Sequence, residues 1–341
     1  MMNNKTFFVN KIFSLICLMI LVMILSNVGV LSFLFLSFKN KAKDGPKVSR
    51  VIEVWNVDSF DAGNYSKTTF LEKAASKLFV ANTGLCIVVK NITKEACVYN
   101  FSTGLYPDMI SYSHDLKDDI KSLLQPMSLS ADIVSIDKSV YMQGNDILAA
   151  SWCAGAYFIF GNKTYLEKVS MTGDLLSNIS NCSIDKKTKN KSIKIYSAVY
   201  GINGIEDYAK LTTQVSESSN VVKKQSGYDA YTYFTSGAST LLFGTQRDLV
   251  RIIARQDYAS NYMIEFESSY NNLYQYISIL TEDLDRQLDC NDYIKYLLSD
   301  GMQSMMDKFG MFSPTGCMSY ENLQWINYQK LFNKISNVEA F

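Results

Sequence analysis

Two short stretches set an aromatic ring beside hydrogen-bonding side chains: Trp55, Asn56 and Asp58 in "VIEVWNVD", and Tyr112, His114 and Asp115 in "SYSHD". An aromatic face covers apolar C–H surface while carboxylates and amides take hydroxyl hydrogens. The chemistry this suits is non-covalent capture of a polar, ring-shaped molecule, with sugars as the natural class. The same residues admit a purely structural reading, in which Trp55 and Tyr112 fill a core and Asp115 caps the helix that follows. Trp152 and Tyr157 bracket "CAGA", where small residues let backbones approach closely, and packing accounts for these two equally well.

Arginine usage marks a further place. The chain has five arginines against 28 lysines, yet Arg247, Arg251 and Arg255 stand at four-residue spacing in "GTQRDLVRIIARQ". A planar guanidinium bridges two neighbouring oxygens in a way an ammonium does not, so Arg247, with Gln246 beside it at the start of a helix, is a candidate ligand contact. The competing reading is an ion pair of Arg247 with Asp248 or another carboxylate. Like charges at i,i+4 repel mildly unless carboxylates intervene.

Catalytic templates are missing. There is no GxSxG elbow, HExxH helix, GxxxxGK[ST] loop or GxGxxG turn, and one histidine, His114, would have to serve any histidine mechanism alone. Asp118 and Asp119 read as helix-surface charges, and no activated nucleophile is visible, so no enzyme activity, cofactor or metal is expected. Formal net charge is zero with no basic stripe, which removes the electrostatic term nucleic-acid binders depend on.

These residues need elements to position them. "VIEVWNV" reads as a buried strand, "KTTFLEKAASKLFVANTG" as a helix with Phe70, Leu71, Ala74, Ala75, Leu78 and Phe79 on one face and Gly84 beyond it, and "LCIVVK" as a second strand. Strand, helix, strand in that order predicts a parallel βαβ unit. Downstream, "PDMISYS" reads as a strand, "LKDDIKSLLQPM" as a helix and "AASWCAGAYFIFGNK" as one long apolar strand. Residues 205–224 are polar and helix-compatible, "AYTYFTSGASTLLFG" is a strand again, and "RDLVRIIARQ" is a helix opening directly after it. "NDYIKYLLSDGMQSMMDKFG" is helical with Gly310 as a left-handed stop, and "YENLQWINYQKLFNKI" is amphipathic. The stretch "SIDKKTKNKS" at 183–192 reads as a solvated loop. The sum is an α/β body in which ligand is expected outside the carboxyl ends of the strands.

Residues 12–38 carry no charge over 27 positions, longer than the apolar region of a signal peptide and long enough to cross a bilayer. They are expected to form a membrane anchor or uncleaved signal, after residues 1–11 and before a linker at 39–49. Lysines lie on both sides, and the positive-inside rule alone would keep the body in the cytoplasm. Cys86, Cys97, Cys153, Cys182, Cys290 and Cys317 remain outside the span, and if the body is extracellular they allow up to three disulfides whose pairing is open.

Taken in order, "VIEVWNVDSF", "FLEKAASKLF", "GLYPDMISYSHDL", "AASWCAGAYFIFGNK", "FTSGASTLLFGTQRDLVR" and "YIKYLLSDGMQSMMDKFGMFSP" resemble the extracellular solute-binding proteins of family 1, the substrate-binding components of carbohydrate ABC importers, with maltose-binding protein as a relative. The resemblance covers roughly residues 50 to 315 and implies a type II periplasmic-binding-protein fold: two α/β lobes that close by hinge motion on a solute in the cleft between them. It implies lobe 1 at 50–148 and 262–312, and lobe 2 at 149–261 and 313–341 with a C-terminal helix. It also implies an extracytoplasmic body, which with the apolar run places the N-terminus inside and the anchor in the membrane, ABC permease subunits as partners, and a carbohydrate or related solute as ligand. Carried over by position, it puts Trp55, Asn56 and Asp58 at the cleft mouth, Tyr112 and Asp115 on the solute, and Gln246 and Arg247 where the second lobe faces the cleft. Arg251 and Arg255, whose like charges repel at this spacing, are expected to pair with the opposite lobe or the hinge. The alternative is a membrane-tethered sensor or interaction module that keeps the fold without transport.

Overall fold

The computed structural model describes residues 50–81, 84–129, 140–168, 198–201, 221–255, 257–267, 271–317 and 323–335. The apolar segment 12–38, its flanks 1–11 and 39–49, Cys182, and the stretches 183–192 and 205–220 lie outside them. Among the described residues no helix is long and apolar enough to cross a membrane.

Alternation in "RVIEVWNV" builds the first strand, β1 (Arg50–Val57): Ile52 and Val54 face one side while Trp55 and Val57 face the other, and all four are buried. Helix α1 (Lys67–Ala81) lays Phe70, Leu71, Ala74, Ala75 and Leu78 against the Ile52 and Val54 face. Burying each larger member of that stripe stabilises the fold by about 1.5–3 kcal/mol. β2 (Leu85–Ile92) then pairs parallel with β1, as the βαβ pattern predicts. Helix α2 (Lys94–Ser102), capped by Thr93 Oγ1 accepting from Ala96 N–H, covers the opposite face with Cys97 inward.

β3 (Met109–Ser113) is parallel to β1, and β11 (Tyr274–Ile279) joins antiparallel between β3 and β5 (Asp146–Ala154), which in turn pairs with β4 (Val140–Gln143). The six-stranded sheet therefore runs β2-β1-β3-β11-β5-β4. A second, five-stranded sheet runs β10 (Tyr262–Phe266), β6 (Tyr157–Asn162), β9 (Leu241–Thr245), β7 (Ala198–Gly201), β8 (Val221–Lys224). Its flanking helices include α3 (Gly227–Thr235) and α4 (Gln246–Ile253). Helix α5 (Leu284–Leu297) returns to the first sheet, and α6 (Leu323–Phe332) packs Trp325 and Phe332 on Phe312, beside Phe158.

Three expectations change. The long apolar run breaks into β5 and β6, because Gly155–Ala156 carries the chain from one sheet to the other; the return crossing lies between Phe266 and Tyr274. The expected boundary at 148/149 falls within β5, and that at 261/262 falls at the start of β10. "AYTYFT" is helix rather than strand, because Ser226 Oγ caps Asp229 N–H and the i,i+4 pair Ala230 and Phe234 is buried. "LKDDIKSLLQPM" is helical only as far as Leu123, in an α turn at Lys117–Ile120 flanked by 3-10 turns at His114–Leu116 and Lys121–Leu123, after which Gln125 and Met127 make isolated bridges to Ile279 and Ile147. The five described cysteines are all free, so no disulfide forms among them.

Candidate ligand site

The loop between β1 and α1 faces the N-terminus of α4, and between them lies a pocket of about 270 Å³ lined by Asp58, Asp61, Tyr65, Lys67, Arg247 and Arg251, among others. Helix α4 starts where it does because Thr245 and Asp248 form a capping box: the Thr245 hydroxyl accepts from the first turn and the Asp248 carboxylate accepts from Thr245 N–H at 3.2 Å. This fixes Arg247 and Arg251 one turn apart at the pocket wall. Across from them, Gly63 and Gly310 pack backbone to backbone, with Gly310 at φ +63°; a Cβ on Gly63 would sit 2.6 Å from Gly310 O and 2.8 Å from Val250 Cγ2. Only glycine lets this loop lie so close to both α4 and the Phe309–Gly310 turn.

Three ion pairs line the wall. Arg247 pairs with Asp61 across the pocket, Lys67 with Asp58 at 3.2 Å, and Arg251 with Asp248 at 3.3 Å. Lys67 is the unusual member: it is buried, donates to Gln275 Oε1 at 2.9 Å, and lies 3.6 Å from the centroid of the Phe60 ring. Burial lowers its pKa, and the Asp58 carboxylate pulls it back up. Arg251 also lies over the rings of Tyr228 and Tyr231, at 5.0 and 5.3 Å.

Behind Lys67 runs a buried polar chain. Gln275 Nε2 donates to Val57 O and Ser111 Oγ, each at 3.0 Å; Ser111 Oγ donates to Asn56 Oδ1 at 2.9 Å and accepts from Trp152 Nε1 at 3.0 Å. The crossings are bonded to one another. Gly155 N–H donates to Leu273 O (2.6 Å), Asn271 Nδ2 to Gly155 O (3.0 Å), and Tyr157 OH to Asn272 Oδ1 (2.8 Å). Gln246, wholly buried, joins them to the pocket loop: its Oε1 accepts from Ala156 N–H at 3.0 Å and its Nε2 donates to Asp61 O at 2.7 Å.

Of the residues singled out by sequence, Asp58, Arg247 and Arg251 line this pocket. Trp55 is in the core, stacked on Phe101 at 5.9 Å with its indole N–H on Glu53; Tyr112 is wholly buried with its hydroxyl 3.0 Å from Ser278 Oγ. Asn56 belongs to the buried polar chain, where its Nδ2 donates to Thr68 Oγ1 at 3.1 Å. Asp115 is at the surface, 3.4 Å from Lys94 and accepting from Ser113 Oγ at 2.6 Å. Trp152, stacked on Phe70, lies behind Lys67, and Tyr157 and Gln246 lie at the crossings. Arg251 and Arg255 pair close to their own helix rather than with the other sheet: Arg255 is 3.9 Å from Asp257 and 5.8 Å from the Tyr262 ring. Those local carboxylates relieve the i,i+4 repulsion of the arginine row. Asp61, Tyr65 and Lys67 were missed, because nothing in the spacing of a polar loop marks which of its members turn inward.

No protein-family model matches the chain, and no curated protein matches its sequence. Solved structures do match in shape. The acarbose-binding GacH receptor of Streptomyces glaucescens superposes with TM-score 0.58 at 12% identity, over 86% of this chain and 88% of that one. The extracellular solute-binding protein of Staphylococcus aureus, determined with maltose, gives 0.58 at 13%, over 85% and 87%. The FutA protein of Trichodesmium, determined with iron and citrate, gives 0.56 at 11%, over 84% and 99%. The body is a mixed α/β protein with the two-sheet fold of the periplasmic binding proteins.

Proposed function

We propose that the chain is the extracytoplasmic solute-binding component of an ABC importer, and that it captures a sugar or related polar solute by closure of two lobes. The observation that carries the reading is the position of the pocket. It lies outside the carboxyl end of β1, where the chain of the six-stranded sheet meets the first turn of α4 from the five-stranded sheet. In open α/β sheets that is where ligands bind. Two fold neighbours, the GacH receptor determined with acarbose and the Staphylococcus aureus protein determined with maltose, hold carbohydrates, which supports a sugar as the solute.

In this reading the lobes divide at the observed crossings, and Asp58, Lys67 and Arg247 present charged donors and acceptors to solute hydroxyls. The Arg247–Asp61 pair and the Gln246–Asp61 bond hold the lobes together, and solute shifts the population further to the closed state because it binds that state better. The apolar segment 12–38 anchors the body at the outer face of the membrane, beside the permease. The test is a thermal-shift screen of the full-length protein against D-glucose, D-galactose, N-acetylglucosamine, maltose, maltotriose and myo-inositol. At least one is expected to raise the midpoint, by mass action on the native state; inertness to all six defeats the proposal.

A further inference from the structure

One face of the six-stranded sheet is left half uncovered at its β1–β2 edge. On β1, Val51 shares the side of Trp55 and Val57, and the register sets Cys86 beside Val51 and Val88 beside Glu53 on that same side. Helix α2 covers the carboxyl half of this face. Its Phe101 stacks on Trp55 at 5.9 Å, and Tyr106, in the loop before β3, stacks on Phe101 at 5.3 Å. Over the amino half no described element lies: Val51, Val88, Leu105 and Tyr106 are between 38% and 59% exposed, and Cys86 is partly so. The charged members of the face, Glu53 and Lys90, are paired with each other at 2.8 Å. Parallel strands normally carry helices on both faces, and a contiguous apolar patch left in the open marks an interaction surface.

The position of the patch in the chain indicates what covers it. Strand β1 is entered at Arg50, next to Val51, and only residues 39–49 separate it from the uncharged segment 12–38. Fully extended, that linker reaches about 40 Å. A body tied to a bilayer by segment 12–38 therefore keeps the amino end of β1 at high local concentration near the lipid surface. The linker carries Lys39, Lys41, Lys43 and Lys47 against one acid, Asp44, and each lysine close to an anionic lipid surface adds about 1 kcal/mol of attraction. Tyr106 supplies the residue type that favours the boundary between membrane and water, with an apolar ring and a polar tip.

We propose that this face is a lipid-docking surface, with Val51, Cys86, Val88, Leu105 and Tyr106 resting on the headgroup region of the membrane that anchors the chain. The proposal rests on the anchored, solute-capturing reading and adds an orientation to it. The pocket lies outside the carboxyl end of β1 and the patch at its amino end, roughly 20 Å apart along the strand. The docked body thus turns its pocket away from the lipid and towards incoming solute. Delivery to a permease then requires the body to lift off, which a linker of this length permits.

The test compares the full-length protein in nanodiscs of phosphatidylcholine and phosphatidylglycerol, one copy per disc, with the same protein in amphipol, which holds an apolar segment without a bilayer. Alkylation of Cys86 by N-ethylmaleimide is followed by mass spectrometry, with partly exposed Cys317, outside the patch, as reference and buried Cys97 as a check on folding. Wild-type Cys86 is expected to react at least about fivefold more slowly in discs, as a state docked about four-fifths of the time gives, with Cys317 unchanged. Tyr106→Asp and, separately, Leu105→Asp place a carboxylate on the exposed loop, and each should bring the Cys86 rate in discs up to its own rate in amphipol. Equal wild-type rates in discs and amphipol overturn the docking while leaving the anchor and solute capture intact. Protection that survives both substitutions, or that grows with the number of copies per disc, assigns the face to a protein contact and also overturns it. Protein that does not stay with the discs removes the anchor, and the docking with it.

Discussion

Gln246 separates two accounts of the same side chain, because a ligand contact and a hinge tie fail differently when truncated. In Gln246→Ala, Ala156 N–H loses its side-chain acceptor at 3.0 Å in a buried setting, and Asp61 O loses its donor at 2.7 Å. The orphaned Ala156 N–H costs about 1–3 kcal/mol. Asp61 is largely exposed, so water replaces the donor there and that loss is small. Deleting the buried amide also leaves a space that Gly155 does not fill, since its neighbour in that direction is the Gln246 side chain itself; this adds about 1 kcal/mol. The total is about 3 kcal/mol, which for a body of this size lowers the thermal midpoint by roughly 6–12 °C. Scanning calorimetry of wild type and variant measures it. A midpoint within 2 °C of wild type, with solute affinity lost, would refute the hinge assignment and restore Gln246 as a ligand contact.

Arg247→Lys is expected to weaken solute binding about tenfold, about 1.4 kcal/mol, with a midpoint within about 2 °C of wild type because exposed ion pairs contribute little to stability. Arg255→Lys, remote from the pocket, should leave affinity unchanged, and equal losses from both substitutions in calorimetric titration would contradict the division. Burial pushes the Asp248 carboxyl up to about 6, against the pull of Thr245 N–H and of Arg251. A carboxyl raised in the folded state binds more protons there than in the unfolded chain between about pH 4 and 6. Its contribution is therefore present below pH 4 and lost as pH rises to 6, on the order of 2–3 kcal/mol. Urea titrations across that window should show the slope in wild type and a flatter profile in Asp248→Asn; identical profiles would count against it.

The β1-α1-β2 unit was legible because its apolar positions keep two clean periods, alternation in "VIEVWNV" and the helical stripe from Phe70 to Leu78. The crossing at Gly155–Ala156 was not, because the apolar run continues unbroken through it and only the close approach of Gln246 to Gly155 reveals a change of sheet. Trp55 and Asn56 show a limit that the sequence itself contained. Neighbours in a strand face opposite sides, so one loop mouth cannot receive both, and Trp55 goes to the α2 face while Asn56 joins the buried polar chain. Asp58 and Arg247 were legible from chemistry plus their places at a strand end and a helix start. Asp61, Tyr65 and Lys67 depend on how an aperiodic loop is folded back by Gly63 and Asn64, which no residue spacing encodes.

A structure of the protein with the tightest-binding of the six compounds tests the central claim most directly. The account predicts a sugar between the β1–α1 loop and α4, with hydroxyls within hydrogen-bond distance of Asp58, Lys67 and Arg247. A ligand seated instead beside Asp115, or anywhere outside the space between those two elements, would contradict it.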